Sequence, residues 1–157
     1  MVEDLFESLL QEMGKAMNIP DLHADSNNSC LIAFDTGIEV QIEPYERGEF
    51  LLIVCDLGEV PPGRYREDVF REALKSNGLP HPRPGIFAYS EQSNHLIFFG
   101  LLSLKELNGE KIASFMYPFM EKAAAWKNTL ERGDVPLADT MTTSHAAAPG
   151  GLFGLRP

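Results

Sequence analysis

Residues 93–104 read SNHLIFFGLLSL, and no other stretch constrains the fold of this chain as tightly. A half-buried strand alternates apolar and polar side chains. Here His95, Ile97, Phe99 and Leu101 share one side of an extended chain, and Leu96, Phe98, Gly100 and Leu102 share the other. Both sides are greasy, so both need cover. The stretch FLLIVCDL at 50–57 has the same character as far as Cys55. Two such strands belong in the middle of a sheet or beneath a partner.

The neighbouring segments supply some of that cover. Val2, Leu5, Phe6, Leu9, Leu10, Met13, Ala16 and Met17 recur at helical spacing, with Glu3, Asp4, Glu7, Gln11, Glu12 and Lys15 opposite. Asn18 and Pro20 end this first helix. CLIAF (30–34) and IEVQIE (38–43) read as strands joined at Asp35-Thr36-Gly37. In the second of them Ile38, Val40 and Ile42 point inward. After EVPPG (59–63), YREDVFREALKSN (65–77) is a second helix with Tyr65, Val69, Phe70, Ala73 and Leu74 on one side and Gly78 just past its end. GIFAYS (85–90) and the opening stretch are two more strands. Asn108 caps a third helix that runs to about Leu130. Its stripe is Ile112, Phe115, Met116, Phe119, Met120, Ala123 and Trp126, and Pro118 on the polar side is expected to kink it.

The expected order is α-β-β-β-α-β-β-α, an α+β fold with an antiparallel twisted sheet packed against helices. Residues 1–132 form one domain. Residues 133–157 change to an Ala/Gly/Pro/Thr-rich composition without period, expected to be a flexible tail.

Charge narrows the partners. Residues 1–60 hold 13 acids and 2 bases, whereas residues 61–157 are close to balanced. Nucleic acid needs a basic face to neutralise phosphate, so it is disfavoured as a partner. No apolar run approaches the ~20 residues of a membrane span. The acidic start, MVEDLFESLLQEMGK, lacks the basic region of a secretory signal. Cys30 and Cys55 sit in apolar strands with no C-x-x-C, which reads as two reduced core thiols of a cytoplasmic protein.

Catalytic chemistry is sparse. Ala33-Phe34-Asp35-Thr36-Gly37 resembles the aspartic protease signature, whose mechanism needs two such carboxylates sharing a proton. Ile38 stands where those enzymes place a small residue, and turn chemistry alone gives an Asp-x-Gly hairpin. His23, His81, His95 and His145 show no zinc spacing. No phosphate-cradling glycine motif opens a helix. Glu43, Glu46 and Glu49 read as a solvated hairpin, not a calcium loop. No catalytic residue, metal or cofactor is expected.

What remains is apolar surface beyond the needs of one small domain. Three amphipathic helices and five strands, two of them apolar on both sides, invite partners at faces and edges.

Three stretches carry a family likeness: LFESLLQEMGKAMNIPDL, REALKSNG and HLIFFGLLSLKELNGEKIASFMYPFMEKAAAWKNTL. With size, acidity and element order they resemble the class I type III secretion chaperones of the Tir chaperone (CesT) family, over residues 2–131. The proline-rich LPHPRPG and the long tail depart from the pattern. The resemblance implies a non-enzymatic, cytoplasmic homodimer. Such a protein binds the N-terminal segment of a secreted effector, keeps it extended and helps target it to the export apparatus, with the secretion ATPase or sorting machinery as a further partner. It implies cargo grooves at the first helix and neighbouring strands, with Leu5, Phe6, Leu9, Leu10, Met13, Ile32, Phe34, Val40 and Ile42 as candidates. It implies a dimer seam at the second helix and next strand, with Val69, Phe70, Leu74, Ile86, Phe87 and Tyr89. A generic protein-binding adaptor and an Asp35-dependent peptidase are the alternatives.

Overall fold

The computed structural model describes residues 2–139. Its elements are α1 (Val2–Met17), β1 (Cys30–Ala33), β2 (Glu39–Tyr45), β3 (Phe50–Glu59), α2 (Arg64–Asn77), β4 (Ile86–Ser90), β5 (His95–Ser103) and α3 (Gly109–Glu131). The order is the expected one. All pairings are antiparallel, and the strands lie in the order β1-β2-β3-β5-β4. The two strands that are apolar on both sides are the inner neighbours β3 and β5, so each has hydrogen-bonded strands on both flanks.

One face of the sheet is the core. Ile32, Val40, Ile42, Leu51, Ile53, Cys55, Leu96 and Phe98 are buried beneath α1 and α3. From α1 come Phe6, Leu9, Leu10 and Met13, and from α3 come Ile112, Met116, Phe119, Ala123 and Trp126. Each large side chain so buried contributes about 1.5–3 kcal/mol. Aromatic rings knit the β4 end: Phe87 lies 4.1 Å from Trp126 and 4.5 Å from Phe98, and Phe98 stacks on Phe119 at 4.9 Å.

Small residues set how closely these layers approach. Asn108 caps α3 by accepting the Lys111 N–H at 2.9 Å. Directly after it, Gly109 touches α1: its N–H donates to Glu12 Oε1 at 2.9 Å, and a Cβ there would sit 2.4 Å from the Glu12 carbonyl carbon. Gly100 leaves room for the Phe115 ring, which would lie 2.2 Å from an added Cβ. Pro118 is exposed, on the polar side of α3 as expected.

Two expectations about α2 need correction. Leu74 does not join the buried side. It is 71% exposed, while Ser76, one turn face away, is buried with Val69 and Ala73. Val69, Ala73 and Ser76 share one face of α2, and Leu74 lies about 100° round the helix from Ala73. On that buried face the Lys122 ammonium of α3 donates to Ser76 Oγ and lies 5.7 Å from the Phe87 ring. Burial holds this lysine's pKa below its usual value, and Asp139 opposes that shift. Gly78 ends α2, but at φ −93° rather than in the left-handed region.

Both cysteines are free and buried. Burial pushes the Cys55 thiol up to about 12 and also raises Cys30, which suits core packing and not nucleophilic work.

Beyond α3 the chain folds back over α2. The Asp134 carbonyl accepts from Tyr65 Oη at 2.8 Å, Pro136 is buried, and the Ala138 N–H donates to Glu72 Oε1 at 2.9 Å. Residues 134–139 therefore form a strap along one flank of α2. The remainder of the expected tail, 140–157, lies outside the described residues.

Candidate functional site

The second face of the sheet carries no comparable layer. Register places Leu31, Gln41, Val54, Phe99 and Ile86 in one row across all five strands. The adjacent row is Ala33, Glu39, Asp56, Ile97 and Ala88, and on the other side Glu43, Leu52 and Leu101 align. Leu31 is 60% exposed and Leu101 43%, and Leu52, Val54, Ile97 and Phe99 are only half-buried. Apolar side chains at outward positions of β3 and β5 thus form a patch about two strands wide. The outward positions of β2 border it with carboxylates.

Charge on this face is specific. His95 Nδ1 sits 2.8 Å from both oxygens of Asp56 at one margin of the patch. Gln41 donates to Glu43 at 3.2 Å. The Glu39 carboxylate makes no ion pair or hydrogen bond among the described residues. A groove of about 490 Å³ runs between Leu31, Gln41 and Glu39 on one side and Val54, Asp56 and Ile97 on the other, with Gly37 and Lys127 completing its lining. Leu31, Val54 and Ile97 give it apolar surface, and the carboxylates of Glu39 and Asp56 share its lining with Lys127.

The two sheet edges differ. On β4, the side chain of Asn77 forks onto Phe87: its Nδ2 donates to the Phe87 carbonyl at 3.0 Å and its Oδ1 accepts the Phe87 N–H at 2.8 Å. The end of α2 thereby occupies the place of a sixth strand. On β1, Phe34 N–H bonds to the Ile38 carbonyl, so alternation turns the backbone groups of Leu31 and Ala33 toward the open edge. Among the described residues nothing pairs with them.

The residues expected from sequence separate accordingly. Phe6, Leu9, Leu10, Met13, Ile32, Val40 and Ile42 are buried in the protomer's own core. Leu5 is 44% exposed and Phe34 is half-buried. At the expected seam, Val69 and Phe87 are buried, Phe70, Ile86 and Tyr89 are half-buried, and Leu74 is exposed. Phe70 meets Tyr89 edge-on at 4.9 Å, and the Arg66 guanidinium lies over the same tyrosine at 5.3 Å. Sequence reasoning set Leu101 on an apolar side of its strand but named neither it nor Leu31 nor Asn77 among the site residues. The signal for the first two was available: outward positions opposite known inward ones were apolar. Asp35 lies in an exposed turn closed by Gly37 N–H to the Phe34 carbonyl, with Gly37 at φ 93°. Among the described residues no cluster of His, Cys, Asp or Glu could hold a metal ion, and no helix is long and apolar enough to cross a membrane.

Comparison with known proteins gives a consistent neighbourhood. Residues 8–127 match the Tir chaperone protein (CesT) family. Searching curated proteins returns no match. Among solved structures, the chain resembles the Yersinia pestis type III secretion chaperone SycH, solved in complex with a stable fragment of YscM2. That match has TM-score 0.57 and 18% identity, covering 75% of this chain and 96% of the other. It also resembles a chain of the HopA1–SchA chaperone–effector complex, at TM-score 0.60 and 14% identity, covering 80% and 95% of the two chains. A chain of the ExsC–ExsE complex matches at TM-score 0.60 and 16% identity, covering 83% and 96%.

Proposed function

Because the chain belongs to the Tir chaperone protein (CesT) family, and with it to the type III secretion chaperones, we propose that its open sheet face and bare β1 edge hold an unfolded N-terminal segment of a secreted effector. The observation that carries this reading is the apolar patch of Leu31, Val54, Ile97, Phe99 and Leu101, which one protomer leaves to water. An extended segment pairs its backbone with Leu31 and Ala33 and lays alternate side chains on the patch. Three or four buried apolar anchors at ~1.5–3 kcal/mol each offset the several kcal/mol lost on ordering the segment. Binding alone keeps the segment extended, so no catalytic step is required and release falls to another machine. Leu5 and Phe34, the candidates on α1 and after β1 that keep surface, extend the same binding area. The family's non-enzymatic character supports a chaperone over an Asp35-dependent peptidase.

Two copies pair in this reading through α2 and β4, with Leu74, Phe70, Ile86 and Tyr89 as the contact. The support is Leu74, a large apolar side chain standing 71% exposed beside half-buried aromatics. Val69 and Phe87 act from below, as the packing that holds α2 on the sheet. A cytoplasmic site of action follows from handling cargo before export.

The test is limited proteolysis of an effector's N-terminal segment with and without the chain, alongside light scattering at micromolar concentration. Protection by a particle of dimer mass is expected. A strictly monomeric chain that leaves such segments open to cleavage rejects the reading.

A further inference from the structure

We infer that the strap 134–139 is a latch on α2: the helix is hinged along its β4 flank, and the strap holds its other flank closed over the buried Lys122 of α3.

The first support is how α2 is held. Its fully buried apolar side chains are Val69 and Ala73, whereas α1 buries Phe6, Leu9, Leu10 and Met13. With so little apolar area, polar bonds set where the helix sits. They fall on two flanks. Toward β4, Asn77 forks onto Phe87, Phe70 meets Tyr89, and Arg66 donates twice to the Val60 carbonyl, at 2.9 and 2.7 Å. On the other flank Tyr65, Glu72 and Ser76 fall within about 40° of one another round the helix. Each of the three bonds to chain that follows β5. Tyr65 Oη donates to the Asp134 carbonyl, Glu72 accepts the Ala138 N–H, and Ser76 Oγ accepts from Lys122.

The second is the course of the strap. Tyr65 and Glu72 are about 10.5 Å apart along the helix axis. Asp134 and Ala138, their partners, are up to about 14 Å apart in an extended chain. The strap therefore runs along α2 from its first turn toward its last. Its buried Pro136 and half-buried Val135 pack inward on the way. Ser76 lies one turn beyond Glu72, and Asp139 is the next strap residue after Ala138. Its carboxylate acts on the Lys122 ammonium.

The third is what the closed flank conceals. Lys122 is 2% exposed, and an ammonium has three protons to place. Burial disfavours its charge, and Asp139 opposes that penalty. Water would solvate this ammonium as soon as the flank lifted, so the lysine favours opening. The strap opposes it with two hydrogen bonds, a buried proline and a counter-charge. Leu74 stands about 200° round α2 from Glu72. In the reading of α2 as the contact between copies, on which this consequence rests, the strap sets the angle at which that contact is presented.

The experiment acylates the full-length chain with N-hydroxysuccinimidyl acetate and follows each lysine by peptide mass. The parent is compared with Pro136→Asp, which places a charge in the buried seat of the strap. It is also compared with the double variant Tyr65→Phe and Glu72→Ala, which removes the two strap bonds from the α2 side. In both variants Lys122 is expected to react about tenfold faster or more. Exposed Lys15 and Lys105 are expected to keep their rates, and Cys55 to stay closed to iodoacetamide. An unchanged Lys122 rate in either variant overturns the inference. So does a Cys55 that becomes reactive together with Lys122, because the whole domain has then opened instead of one flank. Hydrogen exchange supplies a second readout in the same variants. The Phe87 N–H, at the hinge, is expected to stay protected, and its exposure together with Lys122 overturns the hinge. None of these readouts involves a second copy or an effector, so a latch that behaves as expected in a strictly monomeric chain rejects the dimer reading alone.

Discussion

Asn77 satisfies both backbone groups of Phe87 with a single side chain, at 2.8 and 3.0 Å, and so closes the β4 edge of the sheet from the last turn of α2. The carboxamide reproduces the donor and acceptor that a neighbouring strand would supply. Helix and sheet are locked together at the place where the sheet would otherwise remain open.

Replacing Asn77 by Ala leaves a part-buried N–H and C=O unpaired. The expected cost is about 1–3 kcal/mol, measured as a lower urea midpoint at unchanged slope. Asn77→Asp keeps the acceptor and loses the donor, and is expected to fall between the two.

Gly109 is irreplaceable for steric reasons. A methyl there meets Glu12 backbone at 2.4 Å, and neither helix can yield without lifting α3 from α1. Gly109→Ala is expected to cost about 1–3 kcal/mol. Asn108→Ala, which removes only the cap, should cost about 1 kcal/mol. Thermal melts of the two variants check the ranking.

Acid should loosen two attachments together. Glu7 accepts from the Ala24 N–H and pairs with His23, and these bonds hold its pKa below the usual value of 4.5. Glu72 accepts from the Ala138 N–H and from Lys75, with the same effect. A carboxylate with a depressed folded pKa stabilises the fold above its unfolded pKa and loses that contribution as pH falls through the folded value. Stability should therefore drop as pH descends below about 4.5. Glu7→Gln and Glu72→Gln should each flatten that part of the curve, measured by urea denaturation at successive pH values. Hydrogen exchange should show the 21–24 loop and the 134–139 strap opening first.

Surface charges separate the two proposed interfaces. Leu101→Glu on the open face is expected to abolish effector protection, by tenfold or more in affinity, while leaving dimer mass intact. Leu74→Glu on α2 is expected to give a monomer by scattering that still melts near the parent temperature. Both sites are exposed, so neither substitution removes core packing. Loss of dimer in the first variant, or of folding in the second, contradicts the assignment.

The elements were readable because their periods are strong. The alternation of inward Ile38, Val40 and Ile42 with outward Glu39, Gln41 and Glu43 and the 3.6-residue stripe of α1 leave little choice of fold, and every expected element is present within about two residues. The site was less readable. In sequence, Phe6 and Leu10 are indistinguishable from side chains that line a groove, because burial by one's own sheet and by a partner select the same residue types. Leu74 turned out exposed and Ser76 buried against Lys122, a contact 46 residues away that no local pattern records. Asn77 read only as a helix end. Its function depends on β4 lying within reach, which is a property of the folded chain. The apolar outer positions of β3 and β5 were the exception: they announced an uncovered face before any coordinates did.

The difference between the two sheet edges limits how this protein can associate. Filaments of the cross-β kind grow head to tail, each unit offering one vacant margin to the opposite vacant margin of the next. Here Asn77 already occupies the Phe87 position of one margin, so a copy adding its strand there would have to displace it. A protein concentrated in the same cell as sticky, unfolded clients can thus lend its backbone once per copy without seeding a fibre of itself.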